Sequence, residues 1–178
     1  MPPGVKEIFY GRIIIMSSTK ETYLRNVIFG VTDSLVSTVG LLAGIDAGGT
    51  TVNVIVLTGV VYAFVEAFSM AVGSFLSEES VEAYESQGRS PLTKPIVGAV
   101  TMFVAFVVAA FVPLAPYLFM PVSTAIWYSI GFSVVALFFV GMAAARITKS
   151  RLLSRATQSA ILGGAAILIG FLVGKFLK

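Results

Sequence analysis

Two acidic side chains lie inside long apolar stretches of this sequence, where a charge is costly. Asp33 falls within the stretch 26–45 and Glu66 within the stretch 53–76, and neither stretch contains a Lys, Arg or His. Insertion scales put an acid near the middle of a membrane at about 3 kcal/mol. Each acid is therefore either a protonated carboxyl held by hydrogen bonds, or a carboxylate that faces a wet cavity and an exchangeable cation.

Helical spacing places further polar side chains beside these acids. Tyr62, Glu66 and Met70 follow one another at four-residue intervals, and Ser37 follows Asp33 by four. The two stretches are joined by a short turn, so they run antiparallel and place Asp33 and Met70 at matched depth, about 10–12 Å inside the membrane. Tyr62 either hydrogen-bonds Glu66 or binds a cation directly. The glycines on the same faces are explained most simply by close helix packing.

The donor atoms on these two helix faces favour a divalent cation. Carboxylates and hydroxyls suit Mg²⁺, Mn²⁺ and Fe²⁺, and a thioether shifts the preference toward Fe²⁺. The chain has no His and no Cys, so neither a high-affinity zinc or copper site nor the nucleophile–base pair of an enzyme is expected. We predict a metal site of Asp33, Glu66 and Met70, with Tyr62 and Ser37 as secondary candidates.

Four more acids follow the second stretch in a short inner loop, 77–95. Glu78 and Glu82 are one helical turn apart, as are Glu82 and Glu85, so an extended second helix would present an acidic face to the cytoplasm together with Glu79. This face is either a solvated helix end or a vestibule that concentrates cations. All four glutamates are secondary candidates for metal binding.

The elements that position these residues are those of a membrane protein. Of 178 residues, 57% are apolar and 12% charged, with a net charge of +3 and a mean hydropathy of +0.94, whereas soluble domains are roughly a quarter charged. A helical span takes roughly 20 apolar residues. Five stretches qualify: 26–45, 53–76, 96–118, 124–145 and 156–176. We predict an all-α polytopic membrane protein, with an N-terminal segment 1–25 and a five-helix transmembrane domain 26–178.

The basic residues predict the orientation. With a cytoplasmic N-terminus, ten of the 12 Lys and Arg residues lie inside and only Lys175 and Lys178 lie outside. The basic cluster at 146–155 is explained as a topology anchor, with binding of lipid headgroups as the alternative, and it does not require nucleic acid. Residues 8–16 are too short to span and lack a cleavage site, so an interfacial helix is expected rather than a disordered tail or a signal peptide.

Several motifs resemble the vacuolar iron transporter family, also called the CCC1-like family. The stretch RNVIFGVTDSL at 25–35 resembles the start of its first helix, and SMAVGSFLS at 69–77 resembles its second-helix signature. PLAPY at 113–117 and ALFFVG at 136–141 also match its pattern. The resemblance covers nearly the whole chain from about residue 21, in the right order, and this ordered combination is more specific than any one motif.

The resemblance implies a homodimer that exports ferrous iron, and often manganese, from the cytoplasm in exchange for protons. The first helices of two subunits would line the path, and Asp33 and Met70 match the family's metal-path residues. Glu66 stands where some microbial members carry an acid, and Tyr62 stands at the position of the plant-type acid. Ser34 replaces the usual glycine after the aspartate.

The inner loop 77–95 is too short for the Glu-rich cytoplasmic domain of larger members. We therefore expect a short microbial-type member in the cell membrane of a prokaryote, in which Asp33 and Glu66 exchange the metal for protons and Met70 favours iron. The expected partners are a second copy of the chain, divalent metal ions, protons and the lipid bilayer. No bound cofactor is expected, since iron or manganese is the substrate. The alternative is a non-transporting membrane scaffold whose acids stay protonated.

Overall fold

The computed structural model describes residues 3–86, 91–147 and 152–177, which form five long α-helices. They are α1 (Pro3–Ala47), α2 (Val52–Glu85), α3 (Thr93–Phe119), α4 (Val122–Ile147) and α5 (Leu152–Phe176). Of the basic residues that predict the orientation, Arg89, Lys149, Arg151 and Lys178 lie outside the described residues.

Each helix contains a run that is long and apolar enough to cross a membrane. The five runs are Thr22–Ala47, Val52–Glu85, Thr93–Phe119, Val122–Ile147 and Ala156–Phe176. Helices satisfy their backbone hydrogen bonds internally, as the hydrocarbon core requires. Large apolar side chains such as Val65, Phe68, Val108 and Ile161 are more than 60% exposed on the outside of the bundle, where lipid covers them. The predicted all-α architecture is confirmed, and the chain is an integral membrane protein.

Helix α1 is the centre of the bundle. It packs against each of the other helices, which follow one another along it in the order α2, α3, α4, α5, each in contact with the next. Its side chains Leu35, Val39 and Leu42 are at most 1% exposed. The helix continues without a break through residues 8–16, so this segment is helical, as expected, and joined directly to the first span. Its placement on the membrane surface stays a prediction.

At the two connections on the predicted outer side, the backbone conformation of a single residue ends the preceding helix. After α1 the chain turns at Gly49, whose φ of 82° is accessible mainly to glycine. Helix α3 ends at Phe119, and the following Met120 is extended because the residue before a proline avoids the helical region. The hydroxyl of Ser129 on α4 donates to the carbonyl oxygen of Pro113 at 2.8 Å and ties α4 to α3.

Glycines bring α1 and α5 into backbone contact. A Cβ added at Gly44 would lie 2.9 Å from the carbonyl oxygen of Gly170. One added at Gly170 would overlap the carbonyl of Gly40, and one added at Gly174 would overlap the carbonyl of Gly44. Close approach of this kind is how helices associate in a membrane, where no hydrophobic effect acts between them. The packing role expected for the glycines of the first span is therefore confirmed for Gly40 and Gly44.

This contact predicts a position-specific effect of adding one methyl group to α5. Gly170→Ala should destabilise the protein by about 1–3 kcal/mol, because the methyl group is forced against a backbone carbonyl that cannot move alone. Gly164→Ala on the same helix is the matched control, since its Cβ would meet nothing within 4 Å. Thermal unfolding of the two variants in detergent provides the comparison, and equal melting temperatures would contradict the close approach.

Candidate functional site

The two intramembrane acids lie close together between α1 and α2. Asp33 and Glu66 are each half-buried, and their carboxyl groups are near enough for their charges to interact. Among the ion pairs formed by the described residues, none includes either acid. Two neighbouring carboxylates without a basic partner are stable inside a membrane only when protons or a bound cation balance their charge.

Neutral oxygen donors surround this pair. The hydroxyl of Ser37 donates to the backbone carbonyl of Asp33 at 2.7 Å. The Tyr62 hydroxyl lies against that of Ser37, and its position is close enough to both carboxyl groups for electrostatic interaction. The Tyr62 ring packs against Phe106 with centroids 6.5 Å apart. Ser37 and Tyr62 thus lie near the two acids, and a shared metal site of these residues stays a prediction.

Met70 lies one turn from Glu66, in a cavity of about 650 Å³ between α1, α2 and α3. Met102 on α3 lines the same cavity and is 3% exposed. Met102 could not be identified from the sequence, because a methionine inside a uniformly apolar span is usually a core residue. The cavity thus contains two thioethers, and its other lining residues are Arg25, Asn26, Phe29, Ser69, Gly73, Ser74 and Ser77.

The described residues place few metal-binding side chains together. In the part of the chain that the structure describes, no group of three or more Asp, Glu, His or Cys residues is placed to hold a metal ion. Hard divalent cations take about six oxygen ligands. Two carboxyl groups alone therefore fall short of the ligands that such a cation takes.

The acids at the inner end of α2 are arranged differently from the sequence prediction. Glu78 is 3% exposed, forms an ion pair with Arg25 of α1, and lies 3.8 Å from the ammonium group of Lys94 of α3. The hydroxyl of Thr22 also donates to Glu78 at 3.3 Å. Glu82 accepts a hydrogen bond from Lys94 at 2.6 Å. The expected acidic face toward the cytoplasm is therefore wrong for these two acids, because Glu78 is paired with bases of α1 and α3 and Glu82 with a base of α3.

The remaining polar groups at this end extend the network toward the cavity. The Ser74 hydroxyl donates to the side-chain oxygen of Asn26 at 3.2 Å, and the Asn26 amide nitrogen is buried without a hydrogen-bond partner among the described residues. Glu79 is half-buried and Glu85 exposed. Of the four glutamates predicted to face the cytoplasm, Glu85 is thus the one in open contact with solvent.

The sequence matches a known family over almost its full length. The model of the VIT family matches residues 24–91 and 81–175. Vacuolar iron transporter homolog 4 of Arabidopsis thaliana is 35% identical over 107 residues, which are 54% of this chain and 54% of that protein. Vacuolar iron transporter 1 is 23% identical in A. thaliana, covering 87% of this chain and 86% of that protein.

The corresponding protein of Oryza sativa subsp. japonica, also named vacuolar iron transporter 1, is 26% identical and covers 83% of this chain and 82% of its own length. Against the homolog proteins, in contrast, the chain spans about half the length of the relatives that it matches.

Proposed function

Because this chain belongs to the VIT family, we propose that it is a membrane transporter that carries divalent iron out of the cytoplasm. The observation that carries the proposal is the pair of half-buried acids, Asp33 and Glu66, between two membrane-spanning helices and without a basic partner among the described residues. The names of the relatives support iron as the substrate. The cavity that holds Met70 supports the same substrate, because thioethers prefer Fe²⁺ to Mg²⁺.

The proposed path begins in this cavity. A cation that enters it contacts Met70 and Met102, which line the cavity, then the carboxylate of Asp33 at the depth of Met70, and then that of Glu66 one turn deeper. When the metal leaves, the two carboxyl groups take up protons, since an unbalanced charge is costly at this depth. One pair of groups thereby couples metal export to proton return. Mn²⁺, which accepts the same hard oxygen donors, is a second substrate.

A second copy of the chain completes the metal site in this proposal. The described residues supply two carboxylates and neutral donors, fewer than a divalent cation takes. Helix α1 carries Asp33 and Ser37, and both side chains are only half-buried within one chain. A symmetric dimer that pairs the two α1 helices would bring the same donors from both subunits to one ion.

We further propose that the N-terminus is cytoplasmic and that the protein is in the cell membrane of a prokaryote. The absence of cysteine from the sequence makes single-cysteine labelling specific. Glu85→Cys should react with a membrane-impermeant maleimide only from the cytoplasmic side, and Thr51→Cys only from the outer side, because these exposed residues lie at opposite ends of α2. Labelling in the reverse pattern, in intact cells and inverted vesicles, would overturn the orientation.

Transport itself is tested with the purified protein in liposomes. With an acidic interior, wild-type protein should accumulate Fe²⁺ inside and release protons to the outside, followed with a metal-sensitive and a pH-sensitive dye. Protein-free liposomes give the background. Metal accumulation without proton movement would reject the antiport mechanism, and the absence of any metal accumulation would reject the transport function.

The same assay tests the thioether. Met70→Leu should reduce Fe²⁺ transport about tenfold, which corresponds to about 1.4 kcal/mol, and should reduce Mn²⁺ transport less, because the harder ion gains less from sulfur. Met142→Leu, a methionine of α4 that does not line the cavity, is the control. Equal losses for both ions in Met70→Leu would assign this methionine to packing.

A further inference from the structure

The acidic residues of this chain all lie in its first half. The nine Asp and Glu residues fall between positions 7 and 85, and no acid follows Glu85 in the sequence. From residue 122 to residue 178 every charged side chain is basic, and four of these bases lie close together in the segment 146–155. The end of α4 and the start of α5 therefore carry positive charge that no acid of the same two helices balances.

A cleft lies at this end of the bundle, between α1, α4 and α5. Its volume is about 430 Å³. Four polar residues line it, namely Arg25 and Thr32 of α1 and Gln158 and Ser159 of α5. The rest of the lining is apolar or small and consists of Ile28, Phe29, Gly141, Ala144 and Leu162. Ala144 is followed two residues later by Arg146, which is exposed in the last turn of α4, so the cleft lies next to the start of the basic segment.

The polar and apolar walls of the cleft differ in depth. Phe29 follows Arg25 by one helical turn on α1, and Leu162 follows Gln158 by one turn on α5, so each apolar side chain lies about 6 Å deeper than its polar partner. Arg25 precedes Asp33 by about 12 Å along the axis, which puts it at the level of the membrane surface. Arg25, Phe29 and Leu162 are each more than half exposed, so the cleft is open to the bilayer.

We propose that an anionic phospholipid of the cytoplasmic leaflet binds in this cleft, on the orientation proposed above. Its phosphate lies at Arg25, Gln158 and Ser159, and one of its acyl chains packs along Phe29 and Leu162. Guanidinium, amide and hydroxyl groups all donate hydrogen bonds to phosphate oxygens. Basic pockets between membrane-spanning helices on the cytoplasmic side bind anionic headgroups in other membrane proteins. The lipid is a partner that the transport function does not require.

The distribution of charge favours a lipid with a net negative charge. Arg25 forms an ion pair with Glu78, but a guanidinium group has five N–H donors, more than one carboxylate uses. The positive charge that remains unbalanced comes from the segment 146–155, which begins at the exposed Arg146. A zwitterionic headgroup brings a positive charge of its own and therefore gains little from these bases, whereas an anionic headgroup is attracted to them.

Native mass spectrometry of the detergent-purified full chain tests the proposal. The protein is mixed with equal amounts of phosphatidylglycerol and phosphatidylcholine that have the same acyl chains. Wild-type protein should retain phosphatidylglycerol over phosphatidylcholine by about fivefold, the factor expected from one favourable charge at the membrane surface. Gln158→Glu keeps the size of the side chain but places a negative charge beside the phosphate, so it should reduce this preference to less than about twofold.

The substitution is made at Gln158 because Arg25 also lines the cavity of Met70 and pairs with Glu78, so its loss would change more than lipid binding. Gln158 is exposed, and the variant is expected to fold. Ser80→Glu is the matched control. It adds the same charge at an exposed position near the inner end of α2, outside the cleft, and should retain the wild-type preference.

The other possible occupants of the cleft are distinguished in the same experiment. Equal retention of the two lipids by the wild type overturns the proposal, and a preference that survives Gln158→Glu places the lipid elsewhere and overturns this site. Displacement of phosphatidylglycerol by inorganic phosphate would assign the site to the free anion. A preference that is present in the monomer and lost in a dimer would assign the cleft to a second copy of the chain. None of these outcomes depends on whether the protein moves metal.

Discussion

Asp33→Asn is expected to reduce Fe²⁺ transport in liposomes at least about 100-fold, a loss of about 2.7 kcal/mol of transition-state stabilisation, while the protein still folds. The amide occupies nearly the volume of the carboxyl group but has no charge with which to bind a metal or exchange a proton. The hydrogen bond from Ser37 goes to the backbone carbonyl of Asp33, so the substitution leaves it in place.

Removal of one charge from a repelling pair should also leave stability unchanged or slightly increased, since Glu66 then lies beside a neutral group. Glu85→Gln makes the same chemical change at an exposed acid outside the site and should retain wild-type transport. A variant at Asp33 that transports iron at the wild-type rate would show that this acid is a protonated packing residue, as in the scaffold alternative.

The architecture was predictable because the bilayer restricts what a spanning segment can be. A run of about 20 apolar residues must be a helix, and five such runs appear both in the sequence and in the structure. The juxtaposition of Asp33 and Glu66 was also predictable. It needs only the helical repeat, which places polar residues on one face, and a short turn, which makes two successive helices antiparallel.

What the sequence could not provide is the rotation of each helix against helices distant in the chain. Met102 and Glu78 are two residues whose surroundings could not be predicted for this reason. Met102 lies in an apolar span but lines the cavity that Met70 also lines, and Glu78 lies in an acidic run but faces inward to a buried ion pair. Both outcomes depend on how α3 packs against α1 and α2, since α3 provides Met102 and Lys94. Periodicity within one helix does not contain that information.

The ion pairs at the inner end separate the acids of this protein into two classes. Glu78 and Glu82 have bases beside them, and their charges are balanced within the described residues. Asp33 and Glu66 belong to membrane-spanning helices and take no part in those ion pairs. The first class is expected to contribute to stability and the second to ion binding. Substitutions in the first class should therefore change thermal unfolding, and substitutions in the second should change metal transport.

Glu78→Gln tests this division and should destabilise the protein by about 3 kcal/mol. Removal of one partner of a buried ion pair costs about 3–5 kcal/mol because the other charge is left unbalanced. Lys94, whose side chain is 14% exposed, would keep only Glu82 as a counter-charge. Arg25 is mostly exposed and can be hydrated, which places the expected loss at the lower end of that range.

Thermal unfolding in detergent measures this loss, and Glu85→Gln is the matched control. The same change at this exposed acid of the same helix should shift stability by less than about 0.5 kcal/mol. Iron transport per folded Glu78→Gln molecule should stay within about twofold of the wild type, because Glu78 belongs to the ion-paired class. A fall in transport comparable with that of Asp33→Asn, at unchanged stability, would move Glu78 into the ion-binding class and place a metal ligand at the inner end of the path.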